Sequence, residues 1–128
     1  MASHTIKFDP SAGVAYGVNL KINAGATFSD SFTVTRTDGT AFDFTSWTAS
    51  SQMAKSVSVG STSYAVATFS VGFTSTTEGK FISSISAAQT RNLVEGRYVY
   101  EILVSSGTTV YRLAEGNVLV IPGISSAP

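Results

Sequence analysis

Cysteine is absent from the 128 residues, which removes disulfides, thiolate metal sites and cysteine nucleophiles together. Histidine occurs once, as His4. A Ser/His/Asp hydrolase needs a base held beside a serine and oriented by a carboxylate. A lone histidine so near the N-terminus is not expected to be held in that way. One histidine without cysteine also leaves no zinc set. Charge is scarce: charged residues make up 12% of the chain, about half the roughly 25% that is usual. The 8 basic and 8 acidic side chains cancel, which gives no electrostatic case for nucleic acid or an anionic membrane as partner. No run approaches the ~18 apolar residues of a transmembrane helix. Met1-Ala2-Ser3-His4-Thr5 lacks a positive region followed by an apolar one, so it is not read as a secretory signal. Without thiols the redox compartment is undetermined, and synthesis in a reducing cytoplasm is compatible with the composition.

What the chain does contain is apolar and hydroxylated. The hydrophobic share is 43%, enough for one folded domain with a core of its own. Polarity comes from 20 Ser and 16 Thr, which favour strands and turns over helices. With little like-sign repulsion to keep copies apart, the composition suits a component of an assembly as well as it suits a free Ser/Thr-rich domain.

Along the chain, residues 1–16 carry Pro10, Ser11 and Gly13 and show no sustained period. They read as an extended N-terminal arm, either frayed or laid on a neighbouring subunit. From Gly17 the period becomes two, with Val18, Leu20 and Ile22 alternating before Asn23-Ala24-Gly25 breaks the run. Phe28, Asp30, Phe32 and Val34 share the next face, where Asp30 needs a partner or a strand end. Thr37-Asp38-Gly39-Thr40 predicts a tight two-residue hairpin turn. Phe42 and Phe44 alternate around Asp43, and a strand follows from Trp47 to Lys55. Residues 56–63 read as a loop.

Ala65, Ala67, Phe69, Val71 and Phe73 alternate in the next strand, and Phe81, Ser83 and Ile85 in the one after. Ser86-Ala87-Ala88-Gln89 has capping-box spacing and predicts one helical turn closing near Leu93. Tyr98, Tyr100, Ile102 and Val104 form the strongest apolar face, turned back at Ser105-Ser106-Gly107-Thr108. A phase shift at Glu115-Gly116 predicts a β-bulge, and residues 123–128 read as a tail after Pro122.

About seven or eight strands with one short helical turn make an all-β chain. The predicted architecture is an immunoglobulin-like antiparallel β-sandwich over residues 17–122, with a closed barrel as its rival. The sandwich is favoured by Gly96-Arg97-Tyr98, where a small residue, one spacer and a tyrosine mark the corner entering strand F. Tyr100 stands where antibody domains carry a cysteine, and Trp47 is expected as the central core aromatic.

Candidate chemistry is thin. Asp9, Asp30, Asp38, Asp43, Glu78, Glu95, Glu101 and Glu115 are scattered, and nothing in the sequence pairs two of them for glycoside hydrolysis. Asp38 and Asp43 flank a loop that could hold calcium, but they read as turn formers. The glycines lack phosphate-binding spacing. No catalytic residue, metal ligand or cofactor is expected. Most aromatics fit strand alternation and belong to the core. Tyr16, Tyr64 and Tyr111 are left as candidates for a sugar-binding platform.

Several motifs in order carry a resemblance. They are Ile22-Asn23-Ala24-Gly25-Ala26-Thr27-Phe28, the stretch from Thr37 to Trp47, Gln52-Met53-Ala54-Lys55-Ser56 and Ile85-Ser86-Ala87-Ala88-Gln89-Thr90. Gly96 to Ile102 and Leu113-Ala114-Glu115-Gly116-Asn117-Val118 follow, so that most of residues 20–121 is covered. The chain resembles small immunoglobulin-like virion structural proteins of tailed bacteriophages, of the cyanophage and marine-phage type. Its layout is similar to the N-terminal domain of phage baseplate upper proteins. The resemblance implies a non-enzymatic structural component of the virion, synthesised in the host cytoplasm. It would act as capsid decoration or cement, or as a neck or tail accessory. Its partners would be other virion proteins and copies of itself, with neither nucleic acid nor membrane. Because this chain stops after one such domain, no receptor-binding head is implied. The alternative is a carbohydrate-binding adhesion module on the virion surface.

Overall fold

The computed structural model describes residues 2–9, 16–55 and 65–122. Nine strands and one helix are present among them: β1 (Ala2–Lys7), β2 (Tyr16–Gly17), β3 (Leu20–Asn23), β4 (Phe28–Thr35), β5 (Thr48–Lys55), β6 (Ala65–Ser75), β7 (Lys80–Ile85), α1 (Ala87–Arg91), β8 (Gly96–Ser106) and β9 (Thr109–Ile121). The predicted loop at 56–63 and tail at 123–128 lie outside the described residues.

Strict alternation produces these strands. In β4 each of Phe28, Asp30, Phe32 and Val34 is buried, while the Ser and Thr between them stay half-exposed. Tyr98, Tyr100, Ile102 and Val104 repeat the pattern in β8. The strand order runs β1-β4-β7-β6-β5-β8-β9-β2, and β3 also pairs with β9. The ribbon becomes two layers because β6 changes partner along its length. Its first half pairs with β5, up to Phe69 opposite Ser51. Its second half pairs with β7 from Ser70 onward. Aromatic rings join the layers, with Phe28 on Phe69 at 5.7 Å and Phe8 on Tyr111 at 5.4 Å.

The fold is thus an all-β sandwich, as the alternation predicted. The neighbours β4-β7-β6 and β5-β8-β9 follow the B-E-D and C-F-G order of the immunoglobulin layout. The expected antiparallel pairing joins β4 to β9 and gives way to parallel pairing at both edges. β1 lies parallel to β4, and β2 and β3 lie parallel to β9. Such pairs need no hairpin, only a chain that crosses between layers.

The extended arm also needs correction over the part that is described. β1 is registered along β4 from Ala2 opposite Asp30 to Lys7 opposite Thr35, and Ile6 and Phe8 are sealed in the core at 0% and 1% exposure. The inward set His4, Ile6, Phe8 already has period two, but it is too short to stand out beside Pro10 and Gly13. Residues 10–15 of that arm lie outside the described residues.

Three local expectations shift. The turn after β4 is a three-residue loop closed by Arg36 N–H on Thr40 O at 2.7 Å, with only Gly39 at positive φ. A two-residue loop of type I′ would need positive φ at both central residues. The bulge falls two residues before Glu115-Gly116: Ile102 faces Ala114 while Leu103 faces Arg112, so Leu113 is the extra residue. Both Leu113 and Ala114 are buried as a result. Trp47 is not the central aromatic but a half-buried one at the rim of the core, edge-on to Phe42 and Phe44.

The predicted helical turn is present. Ser86 caps α1, and both arms of the capping box with Gln89 are made. Buried Thr90 ties the helix to the β3–β4 turn by donating its hydroxyl to Ala26 O at 2.8 Å and accepting from Gly25 N–H at 3.1 Å.

Candidate interaction face

The outer face of the second layer brings charged and exposed apolar side chains together. Because β8 alternates, Arg97, Val99, Glu101 and Leu103 point away from the core. Register brings Leu119 opposite Arg97, Asn117 opposite Val99 and Glu115 opposite Glu101 on β9. β5 adds Gln52 and Ala54 on one side, and β3 adds Lys21 opposite Leu119 on the other. Val99 and Leu119 are large apolar side chains left 37% and 44% exposed. The face is not flat: one depression in it has a volume of about 340 Å³, and its lining includes Gln52, Ala54, Val99, Glu101, Arg112 and Glu115.

Two carboxylates directly opposite each other on a ladder repel. Arg112 resolves this by reaching Glu101 Oε2 at 2.9 Å and Glu115 Oε2 at 3.6 Å. All three side chains are 39% or more exposed, so each pair contributes at most about 1 kcal/mol. The trio therefore does not hold the sheet together. It sets the charge of one end of the face. Sequence spacing could not reveal this pairing, since it depends on the bulge at Leu113.

Beneath the face, β9 is fastened to the N-terminal segment. Between β2 and β3 the Val18 N–H still reaches Glu115 O at 3.0 Å, and side chains then take over from the ladder. Asn19 Oδ1 accepts the Asn117 N–H at 3.1 Å. The Tyr100 hydroxyl donates to Val18 O at 2.6 Å. Gly116, opposite Tyr100, permits the approach, because a Cβ there would lie 2.1 Å from Val18 O. Burial, with a smaller contribution from the Asp30 charge, pushes the Tyr100 hydroxyl well above the usual tyrosine range. Tyr98 forms the predicted corner, its hydroxyl donating to Val94 O at 2.5 Å.

The residues singled out from sequence are spread apart. Tyr111 is half-buried, with its ring stacked on Trp47 at 5.6 Å and tilted against Phe8 at 5.4 Å. Tyr64 and the side chain of Tyr16 lie outside the described residues. Asp38 and Asp43 each accept from the backbone and the hydroxyl of the threonine two residues on. Those bonds hold both carboxyls below the usual carboxylate range. The Asp30 carboxylate accepts from His4 Nε2 at 2.9 Å, which supplies the partner that Asp30 required, and the His4 ring stacks on Phe32 at 4.9 Å.

Comparison of the sequence with protein-family models and with curated proteins gives no match. The structure, however, is similar to a solved one, the N-terminal domain of phage TP901-1 ORF48. The TM-score is 0.52 at 9% sequence identity, with 94% of this chain and 98% of that chain covered. At this identity the likeness is one of fold, and it extends over essentially the whole of both chains.

Proposed function

We propose that this chain is a non-enzymatic structural component of a tailed-phage virion, acting through subunit contacts. It serves as capsid decoration or cement, or as an accessory of the neck or tail. The observation that carries the reading is the end-to-end likeness of fold to a domain of a phage protein. It agrees with the resemblance carried by the ordered sequence motifs. The sparse, balanced charge and the half-apolar outer face support contacts between proteins over contacts with nucleic acid. Its partners are other virion proteins and further copies of the chain. The carbohydrate-binding alternative is the weaker reading, since the ring of Tyr111 is engaged by Trp47 and Phe8.

Mass spectrometry of purified particles, with heads and tails separated, tests this. The chain is expected in one of the two fractions at a copy number comparable to known structural proteins. Its recovery only from the soluble lysate would overturn the proposal.

A further inference from the structure

We propose that the outer face of β5, β8, β9 and β3 pairs with the same face of a second copy, about a two-fold axis lying across the strands. This deepens the assembly reading and rests on it, since it names one of the contacts that reading requires.

The charge pattern selects both the occupant and the orientation. One end of the face carries Glu101 and Glu115, of whose two negative charges Arg112 cancels one. The other end carries Arg97 and Lys21 on either side of Leu119. No salt bridge among the described residues reaches Arg97 or Lys21. The face is therefore negative at one end, positive at the other and apolar between them at Val99. Such a surface is complementary to itself when turned end for end.

Register makes this specific. Glu101 and Arg97 lie two residues to either side of Val99 on β8, about 6.6 Å from it in each direction. A two-fold axis across the strands at Val99 stacks Val99 on its own copy. It also sets Glu101 of each copy over Arg97 of the other, as an isologous contact requires. An axis along the strands, between β8 and β9, would instead set Glu101 against Glu115 of the second copy. The ladder register thus excludes the parallel arrangement on charge alone.

The contact is small. Three strands about 4.8 Å apart and some eight residues long, with the shorter β3 beside them, present on the order of 450 Å², below the roughly 800 Å² per partner of a standard stable interface. The pair is accordingly weak in dilute solution and is sustained where many copies are held close together.

Sedimentation velocity of the full chain over a range of concentrations tests the pairing. Wild type is expected to show a monomer–dimer equilibrium that weakens with added salt. Arg97→Glu and Glu101→Lys should each weaken it about tenfold or more, while the double variant regains most of the affinity. Val99→Lys, which sets two like charges against each other on the axis, should weaken it without rescue. Thermal melting of each variant checks that these exposed substitutions leave the fold intact. A wild type that stays monomeric at all concentrations would overturn the proposal. So would Arg97→Glu dimerising as wild type does, or a double variant as weak as the singles. A chain found in particles yet monomeric would refute the pairing alone, and a chain that pairs but is missing from particles would refute the virion role alone.

Discussion

Tyr100, Gly116 and Val18 meet where three strands converge, and each is explained by the other two. The hydroxyl of Tyr100 satisfies a carbonyl that has left its ladder, and Gly116 leaves room for that carbonyl to approach. Tyr100→Phe leaves the Val18 carbonyl without its partner and should cost about 1–3 kcal/mol. Gly116→Ala should cost about 1–3 kcal/mol through overpacking. Because the residues share one contact, the double variant should lose less than the sum; urea unfolding of the set measures this. Tyr100 also predicts a pH dependence. Its hydroxyl titrates above the ordinary value of 10.0 in the folded chain, so its contribution is fully present below about pH 10 and is lost as pH rises beyond it. Tyr100→Phe should flatten the fall of the urea midpoint on the alkaline side. An unchanged slope would show that this hydroxyl is not the group responsible. The contrast with Tyr98 marks how far residues can be read from sequence. Its partner lies four residues away and was anticipated, whereas the partner of Tyr100 lies 82 residues away. In the sequence the need for Gly116 shows only as a break in phase, which a bulge at the same place would also produce.

β1 is the element whose role changed most. As an arm it would contribute little to stability, but Ile6 within it and Phe8 just beyond it are among the most completely buried of the described side chains. Ile6→Ala should cost about 2–5 kcal/mol and Phe8→Ala about 3–5 kcal/mol, measured by chemical unfolding. Losses below 1 kcal/mol would restore the arm. The strand escaped sequence reading because parallel edge pairing leaves no hairpin signature; its register is set by long-range contacts such as His4 with Asp30. By contrast α1 was legible from four residues, since Ser86 and Gln89 satisfy each other locally. The long strands β4 and β8 were legible for a related reason. Alternation is a local pattern, and burial follows it closely. Pairing partners, and with them the outer face, are not local. Glu101 and Glu115 looked like scattered charges until β8 and β9 placed them side by side with Arg112 between.

At the scale of the whole molecule, a ribbon of strands folds over at β6 so that one face of each layer is sealed. What remains for function is the outside: an edge strand at either end and one face that is charged at its ends and apolar at its middle. The fold class was readable from composition and alternation, while the face that the proposed assembly uses was not. A cryo-electron map of the intact source particle tests the central claim most directly. The account predicts repeated density fitting this sandwich, with neighbouring copies meeting through the face that carries Arg97, Val99 and Glu101. A complete particle map with no density for this sandwich on the head, neck or tail would contradict it.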